Sequence, residues 1–213
     1  MNLMYLHGFA SSARSTKAGW FGERLRPYGI ELRCPDFNEP EFATMTFTRM
    51  ITRLEQEIAD ADAPVSLIGS SLGGTRAILG AARFDDRIER LVLLAPAVMF
   101  AKPGHHLLPP DRIEEWARRG TLPFFHYQDS AERPLNYSFY EDSLRYDAFG
   151  AEFTQPTLIF QGVRDTSVDY RTVEQLARRR PNATLSLVDD DHQLIASLPA
   201  MWDAMRDFLG LDR

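Results

Sequence analysis

A short apolar run meets a glycine-rich turn at Leu67-Ile68-Gly69-Ser70-Ser71-Leu72-Gly73-Gly74. The apolar residues that lead into it, 65–68, predict a buried strand, and the small residues after it, 75–82, predict a helix. Between them lies the pattern Gly-x-Ser-x-Gly, with Ser71 at its centre. A strand that becomes a helix in so few residues must bend sharply, and glycines let the two elements approach closely. We expect the bend to raise the Ser71 hydroxyl above the end of a sheet.

The same pattern has a simpler interpretation, in which Ser71 is only the N-cap of the helix that follows it. Glycine and serine are common turn residues, so the five-residue pattern alone does not decide between the two roles. A reactive serine needs a base, an acid and an oxyanion site elsewhere in the chain. The role of Ser71 therefore depends on the residues that follow the other strands.

Strands and helices alternate along most of the chain. Apolar or alternating runs predict strands at 3–6, 29–35, 65–68, 90–94, 157–160 and 183–188. Apolar residues at helical spacing predict helices at 17–25, 46–59, 75–82, 170–179 and 194–209. Such alternation is typical of a parallel sheet covered by helices on both faces. We therefore predict an α/β fold of three layers, with a short, mostly parallel sheet of about six strands.

The alternation stops between 96 and 153, where prolines and aromatic residues are frequent. We predict an inserted helical cap at about 97–153 in a chain that otherwise forms a single domain, with helices at 111–119 and 140–147. An irregular surface loop is the alternative, but a structureless loop of this length is rare in compact domains. We expect the aromatic residues of this interval, including Trp116, to supply both core and pocket wall.

Composition narrows the possible partners and the location. The net charge of −6 argues against a nucleic-acid surface. The longest uncharged apolar run, 91–101, contains Pro96 and is too short to cross a bilayer, so we predict no membrane partner. Cys34 is the only cysteine, which excludes an intrachain disulfide and fits a reducing compartment. The first residues lack a charged leader, so we expect no signal peptide and a cytoplasmic location.

The sequence favours neither a metal nor a cofactor. His105, His106 and His126 could suggest a metal site, but adjacent histidines on a helix do not face one ligand position. No spaced His/Glu motif accompanies them. The turn at 69–74 lacks the Gly-x-Gly-x-x-Gly spacing of a dinucleotide site. We predict a site without cofactor or metal.

Three further polar loops follow predicted strands. They are His7-Gly8-Phe9, Gly162-Val163-Arg164-Asp165 and Asp189-Asp190-Asp191-His192. Because the carboxyl ends of parallel strands share one edge of a sheet, we expect these loops and Ser71 to lie together.

These loops contain the residue types that activate a serine. A histidine can take the proton of Ser71 near neutral pH, and His192 is the candidate base. A carboxylate then holds the imidazole in the required tautomer, and Asp165 is the candidate acid. The backbone N–H groups of Phe9 and Leu72 are the candidate oxyanion donors.

Several polar residues near the candidate site residues in sequence are expected to have structural roles. Asp169 is expected to cap the next helix rather than to serve as the acid. Of the three residues at 189–191, we expect at least two to form a solvated acidic turn. We expect His7 to shape the oxyanion loop rather than to react.

The chain resembles the α/β-hydrolases, because Ser71, Asp165 and His192 occur in the order of that fold's triad. Its opening residues 5–12, followed by 15–18, further resemble the small YqiA-like esterases. Within this resemblance, the nucleophile elbow, acid loop and histidine loop correspond to 69–73, 162–165 and 191–194. The resemblance implies a serine hydrolase that cleaves small-molecule carboxylic esters with small to medium acyl groups.

Other functions remain open at this point. A thioesterase or a carbon–carbon bond hydrolase would use the same triad. A binding protein could keep the fold without turnover, although it would not need all three triad residues. The sequence does not choose among acyl chain lengths, but the apolar cap favours a hydrophobic acyl group.

Overall fold

The computed structural model describes residues 1–102, 105 and 108–211. The strands are Asn2–Leu6 (β1), Leu32–Arg33 (β2), Val65–Ser70 (β3), Ile88–Leu94 (β4), Thr121–His126 (β5), Ala131–Asn136 (β6), Thr157–Gly162 (β7) and Ala183–Val188 (β8). The α-helices are Thr16–Leu25 (α1), Phe47–Ala59 (α2), Leu72–Arg83 (α3), Pro110–Arg119 (α4), Ser138–Ser143 (α5), Tyr170–Arg178 (α6) and Leu198–Leu209 (α7).

Within these described residues, six strands form one sheet in the order β2-β1-β3-β4-β7-β8. Every neighbouring pair in this sheet is parallel, so all the carboxyl ends lie at one edge. All residues of β3 and β7 are buried, as expected for strands covered on both faces. The predicted α/β class and six-stranded sheet are confirmed.

Two hydrophobic cores lie on opposite faces of the sheet. Successive side chains of a strand point to opposite faces, and β1 shows this alternation. Its Leu3 and Tyr5 belong to the core with α1 and α7, whereas Met4 and Leu6 belong to the core with α2 and α3. The helices therefore form a layer on each side of the sheet, which confirms the predicted three-layer arrangement.

Two elements have different boundaries from those predicted. The strand predicted at 29–35 is reduced to β2, an edge strand that pairs with β1 alone in the described structure. Pro35, two residues beyond its end, cannot donate to a ladder. The final helix begins at Leu198 rather than 194, with Pro199 in its first turn. The predicted cap Asp169 is confirmed, since its side chain accepts from the N–H of Arg171 at 2.9 Å.

The interval that we propose as the cap, 97–153, is not wholly helical. It contains α4 and α5, the latter earlier than the predicted 140–147, and also an antiparallel hairpin of β5 and β6 that we did not predict. Pro123 and Pro134 lie opposite each other in this hairpin. Proline lacks an N–H, so it normally signals a loop, yet a two-stranded edge can hold it at positions that need no donor. Trp116 of α4 is fully buried, and its Nε1–H donates to the Leu135 carbonyl at 2.8 Å.

Candidate active site

Ser71 lies in the sharp turn between β3 and α3, with φ 53° and ψ −116°. Such a conformation costs a non-glycine residue on the order of 1–3 kcal/mol, so the surrounding backbone must hold it. A Cβ on Gly69 would lie 2.6 Å from the Gly73 carbonyl oxygen, and a Cβ on Gly73 would overlap the Leu6 carbonyl. Glycine is required at both positions because the strand and helix backbones touch there.

The Ser71 side chain does not act as a cap of α3. It accepts no capping hydrogen bond from the first turn of α3. Its Oγ instead lies 3.0 Å from Nε2 of His192. The interpretation of Ser71 as only a side-chain N-cap is therefore wrong.

His192 joins Ser71 to Asp165. Its Nδ1 lies 2.8 Å from Oδ2 of Asp165. A carboxylate can only accept, so Nδ1 carries the proton and Nε2 accepts from the Ser71 hydroxyl. The Asp165 side chain is fully buried, whereas that of His192 is 20 % exposed. The structure thus brings together three predicted residues that follow three different strands.

Asp165 is fixed by donors on both of its oxygens. Its Oδ1 accepts from the N–H groups of Ser167 and Val168, both at 2.8 Å, and its Oδ2 also accepts from Gln161 at 2.9 Å. Burial raises the pKa of Asp165, but the hydrogen bonds from His192, Val168 and Gln161 outweigh it and hold the pKa below its usual value. Asp165 is therefore ionised at neutral pH.

The acidic turn before His192 contains one buried carboxylate. Asp189 and Asp191 are exposed, as predicted for at least two members of this turn, but Asp190 is buried. Its two oxygens accept from the N–H groups of Asp191 at 2.8 Å and Ser197 at 2.9 Å. Asp190 therefore fixes the loop that presents His192.

The two predicted oxyanion donors are available. Neither the Phe9 nor the Leu72 N–H has a hydrogen-bond partner among the described residues. Leu72 begins α3, where N–H groups lack an acceptor within the helix. Gly8 packs against Ser71, since a Cβ there would lie 3.4 Å from the Ser71 Cβ. Two such donors next to a serine can hold a developing oxyanion.

Two buried polar residues at the site were not predicted. Gln161 lies in the otherwise apolar strand β7, and it is fully buried. Lys17 is 7 % exposed, and its Nζ donates to the Gln193 carbonyl at 2.8 Å, next to His192. Burial lowers the pKa of Lys17 to about 8, although neighbouring carboxylates raise it. Its position on the apolar face of α1 was a signal that could have identified it.

A cavity of about 1200 Å³ opens beside Ser71 and His192. Serine residues of the loop 11–15 and Thr16, the first residue of α1, contribute polar groups to its lining. Phe9, Met99 and Phe100 supply apolar wall. The cavity therefore offers both polar and apolar surface next to the serine.

The remaining histidines do not form a metal site in the described structure. His105 lines the cavity, and the buried His126 contacts Asn38 and Asp129. His106 lies outside the described residues. No group of three or more His, Cys, Asp or Glu side chains among the residues described could hold a metal ion. Of the described helices, none is long and apolar enough to cross a membrane.

Solved structures with the same architecture are similar over nearly the whole chain. Est1E from Butyrivibrio proteoclasticus, with ferulic acid bound, has a TM-score of 0.82 and 21% identity, covering 98% of this chain and 88% of its own. Mouse alpha/beta hydrolase domain-containing protein 10 has 0.77 and 22%, covering 98% and 90%. Paleococcus ferrophilus monoacylglycerol lipase has 0.71 and 15%, covering 89% and 85%. These likenesses establish the α/β-hydrolase fold.

Sequence comparison identifies the family. No functionally curated protein matches the sequence significantly. The model of one family, described as "Uncharacterised protein family (UPF0227)", matches residues 2–209. The family resemblance carried by the opening residues and the triad order is thereby confirmed, and the chain belongs to the UPF0227 family.

Proposed function

We propose that the chain is a serine hydrolase that cleaves carboxylic esters through an acyl-enzyme intermediate. One observation carries the proposal: the continuous hydrogen-bonded series Ser71–His192–Asp165, with links of 3.0 and 2.8 Å, at the wall of a large cavity. A serine hydroxyl at its ordinary pKa is a weak nucleophile, and this arrangement supplies the base that activates it.

The proposed reaction has two stages. His192 Nε2 takes the Ser71 proton while Oγ attacks the ester carbonyl, and the N–H groups of Phe9 and Leu72 stabilise the oxyanion. When the carbon–oxygen bond breaks, the imidazolium gives its proton to the departing alcohol. A water then loses a proton to Nε2 and attacks the acyl carbon. The bond between that carbon and Ser71 Oγ breaks, the imidazolium returns its proton to Oγ, and the acid is released. Asp165 stays ionised and stabilises the imidazolium in both stages.

The substrate that we propose is a small-molecule ester with a small to medium acyl group. Phe9, Met99 and Phe100 give the cavity an apolar side that suits an acyl chain. The printed names of structural neighbours, an esterase with ferulic acid bound and a monoacylglycerol lipase, fit ester substrates. The proposed reaction needs no cofactor. We also propose a cytoplasmic location, which the single cysteine fits.

Hydrolysis of p-nitrophenyl esters from acetate to dodecanoate is the test of this function. We expect turnover of the short and medium esters, with kcat/KM highest below decanoate, because serine and threonine residues share the lining of the cavity with its apolar side chains. The initial rates of nitrophenolate release, corrected for the rate without enzyme, measure this profile. Absence of turnover at every chain length would refute the esterase proposal.

Matched acyl-thioesters distinguish the alternative with the same triad. If kcat/KM for butyryl and octanoyl thioesters exceeds that for the corresponding oxygen esters, the chain is a thioesterase rather than an esterase. If the oxygen esters react faster, the proposal stands. This comparison depends on the leaving group alone, because the acyl groups are identical.

A further inference from the structure

A fully buried cation lies directly beneath the loop that carries one oxyanion donor. Arg76, on α3, is 0% exposed. Its Nη2 donates to the His7 carbonyl, its Nη1 contacts the Met50 sulfur at 3.1 Å, and its guanidinium lies 4.0 Å from the centre of the Phe37 ring. Within the described part of the chain, Arg76 forms no ion pair with a carboxylate. Burying an unpaired cation is costly, so its position calls for a reason beyond packing.

The residue that Arg76 holds is fixed in one tautomer. The Phe37 N–H donates to Nε2 of His7 at 3.0 Å, so Nε2 carries no proton. The proton of the neutral ring is therefore on Nδ1, which lies 2.9 Å from the Gly8 carbonyl and donates to it. His7 thus shapes this loop, in line with the structural role expected for it.

These two contacts fix two successive peptide groups of the loop. Arg76 holds the carbonyl of the peptide that joins His7 to Gly8, and the His7 ring holds the carbonyl of the peptide that joins Gly8 to Phe9. In a trans peptide the C=O and N–H bonds point in opposite directions. The Phe9 N–H therefore points away from the His7 ring, and it has no other partner among the described residues.

The charge of Arg76 also acts on the protonation of His7. Burial lowers the pKa of His7, and the Arg76 charge lowers it further, whereas Asp36, whose carboxylate lies 3.5 Å from Nε2, raises it. Asp36 and Arg76 are the charged groups that act on His7 among the described residues. Removal of the Arg76 charge would therefore raise the pKa of His7, and a protonated ring could no longer accept from the Phe37 N–H.

We propose that Arg76 is a positioning residue for the oxyanion hole, which acts by holding the His7 carbonyl so that the Phe9 N–H faces Ser71. This inference rests on the proposed ester hydrolysis. It assigns a function to a buried cation that makes no contact with the triad.

Arg76→Met tests the inference by its separate effects on kcat and KM. Methionine fills similar space without charge or donors, so we expect kcat on p-nitrophenyl butyrate to fall ~10²-fold, comparable to the loss of one oxyanion donor. KM should change less than about threefold, because the apolar wall is intact. Arg76→Lys retains a cation and should recover part of kcat. An unchanged kcat in Arg76→Met would overturn the inference while leaving the ester hydrolase proposal intact.

Arg180→Met is the matched control. Arg180 is also buried, lies over the Phe153 ring and donates to a backbone carbonyl, that of Ala151, but this loop does not border Ser71. We expect Arg180→Met to lower thermal stability while kcat per folded molecule remains within about twofold of wild type. An equal loss of kcat in both variants would show that losing any buried arginine has this effect, and it would contradict a specific role for Arg76.

The protonation of His7 gives a readout that does not require turnover. Nitrogen-15 NMR of the wild-type imidazoles, with His7→Asn to assign the signal, should show His7 neutral at pH 6 with its proton on Nδ1. A charged ring or a proton on Nε2 would overturn the inference even if the protein hydrolyses no ester. In Arg76→Met, the His7 pKa should rise, because Asp36 then acts without the opposing cation.

Discussion

Ser71→Ala is expected to lower kcat for p-nitrophenyl butyrate by ~10⁶, to a rate close to that of the buffer alone. The reason is that the variant lacks the oxygen that forms the acyl-enzyme, while His192 and the oxyanion donors have no nucleophile to serve. The backbone turn should persist, since alanine retains the Cβ and the glycines at 69 and 73 that permit the turn are unchanged. Single-substrate kinetics on wild type and variant measure the difference.

Ser66→Ala is the control for the removal of a serine hydroxyl, because Ser66 lies in β3, the strand that leads to Ser71. Ser66 is 1% exposed, and its Oγ has no hydrogen-bond partner among the described residues. Its loss should leave kcat within about twofold, because Ser66 lies at the opposite end of β3 from Ser71. A Ser71→Ala variant that keeps more than a hundredth of the wild-type kcat would show that the hydrolysis uses another nucleophile.

Asp165→Asn is expected to lower kcat by ~10⁴ with little change in KM. The amide can donate to His192 Nδ1, which would place the imidazole proton on Nε2, and Nε2 could then no longer accept from Ser71. The amide also carries no charge to stabilise the imidazolium. Kinetics on p-nitrophenyl butyrate near pH 8 test this expectation.

Asp169→Asn is the matched control, because Asp169 lies in the same loop but caps α6. It should retain kcat within about threefold, since asparagine is also a good N-cap. Equal losses in the two variants would mean that the loop tolerates neither change, and they would contradict a specific role for Asp165.

The stability of Asp165→Asn should depend on pH in a defined direction. The folded-state pKa of Asp165 lies below its usual value, so its ionisation stabilises the fold above the unfolded pKa of about 3.9. This contribution is lost as the pH falls through the folded pKa, where the wild-type carboxyl becomes neutral like the amide. The difference in free energy of unfolding between wild type and variant should therefore shrink in acid.

The sequence was sufficient to predict that the functional loops lie together, because parallel strands place their carboxyl ends at one edge of the sheet. Each of the three triad residues follows a short apolar run, and such runs are the strongest local signal for buried strands. Once the strands are parallel, their carboxyl ends must share an edge, and the side chains there meet. The sequence also indicated which of Asp165 and Asp169 caps the helix, since Asp169 immediately precedes it.

The hairpin and the partners of the buried polar residues could not be predicted from the sequence in the same way. Pro123 and Pro134 resemble loop signals, and only their pairing across two strands shows that neither needs to donate. Gln161 contacts Asp165 around the turn that follows β7, whereas Arg76 contacts His7, which is distant in the chain. A polar residue in an apolar strand or on a buried helix face is a signal that something holds it, but its partner becomes known only from tertiary packing.

Intact-mass analysis after treatment with a fluorophosphonate shows directly whether Ser71 is the nucleophile. The reagent transfers phosphorus to an activated serine and loses fluoride, so the mass shows whether Ser71 is a nucleophile independently of the natural ester. We predict one adduct on wild type, located by peptide mapping to Ser71, and none on Ser71→Ala under the same conditions. An unmodified wild type, or an adduct that persists on Ser71→Ala, would contradict the assignment of Ser71 as the nucleophile.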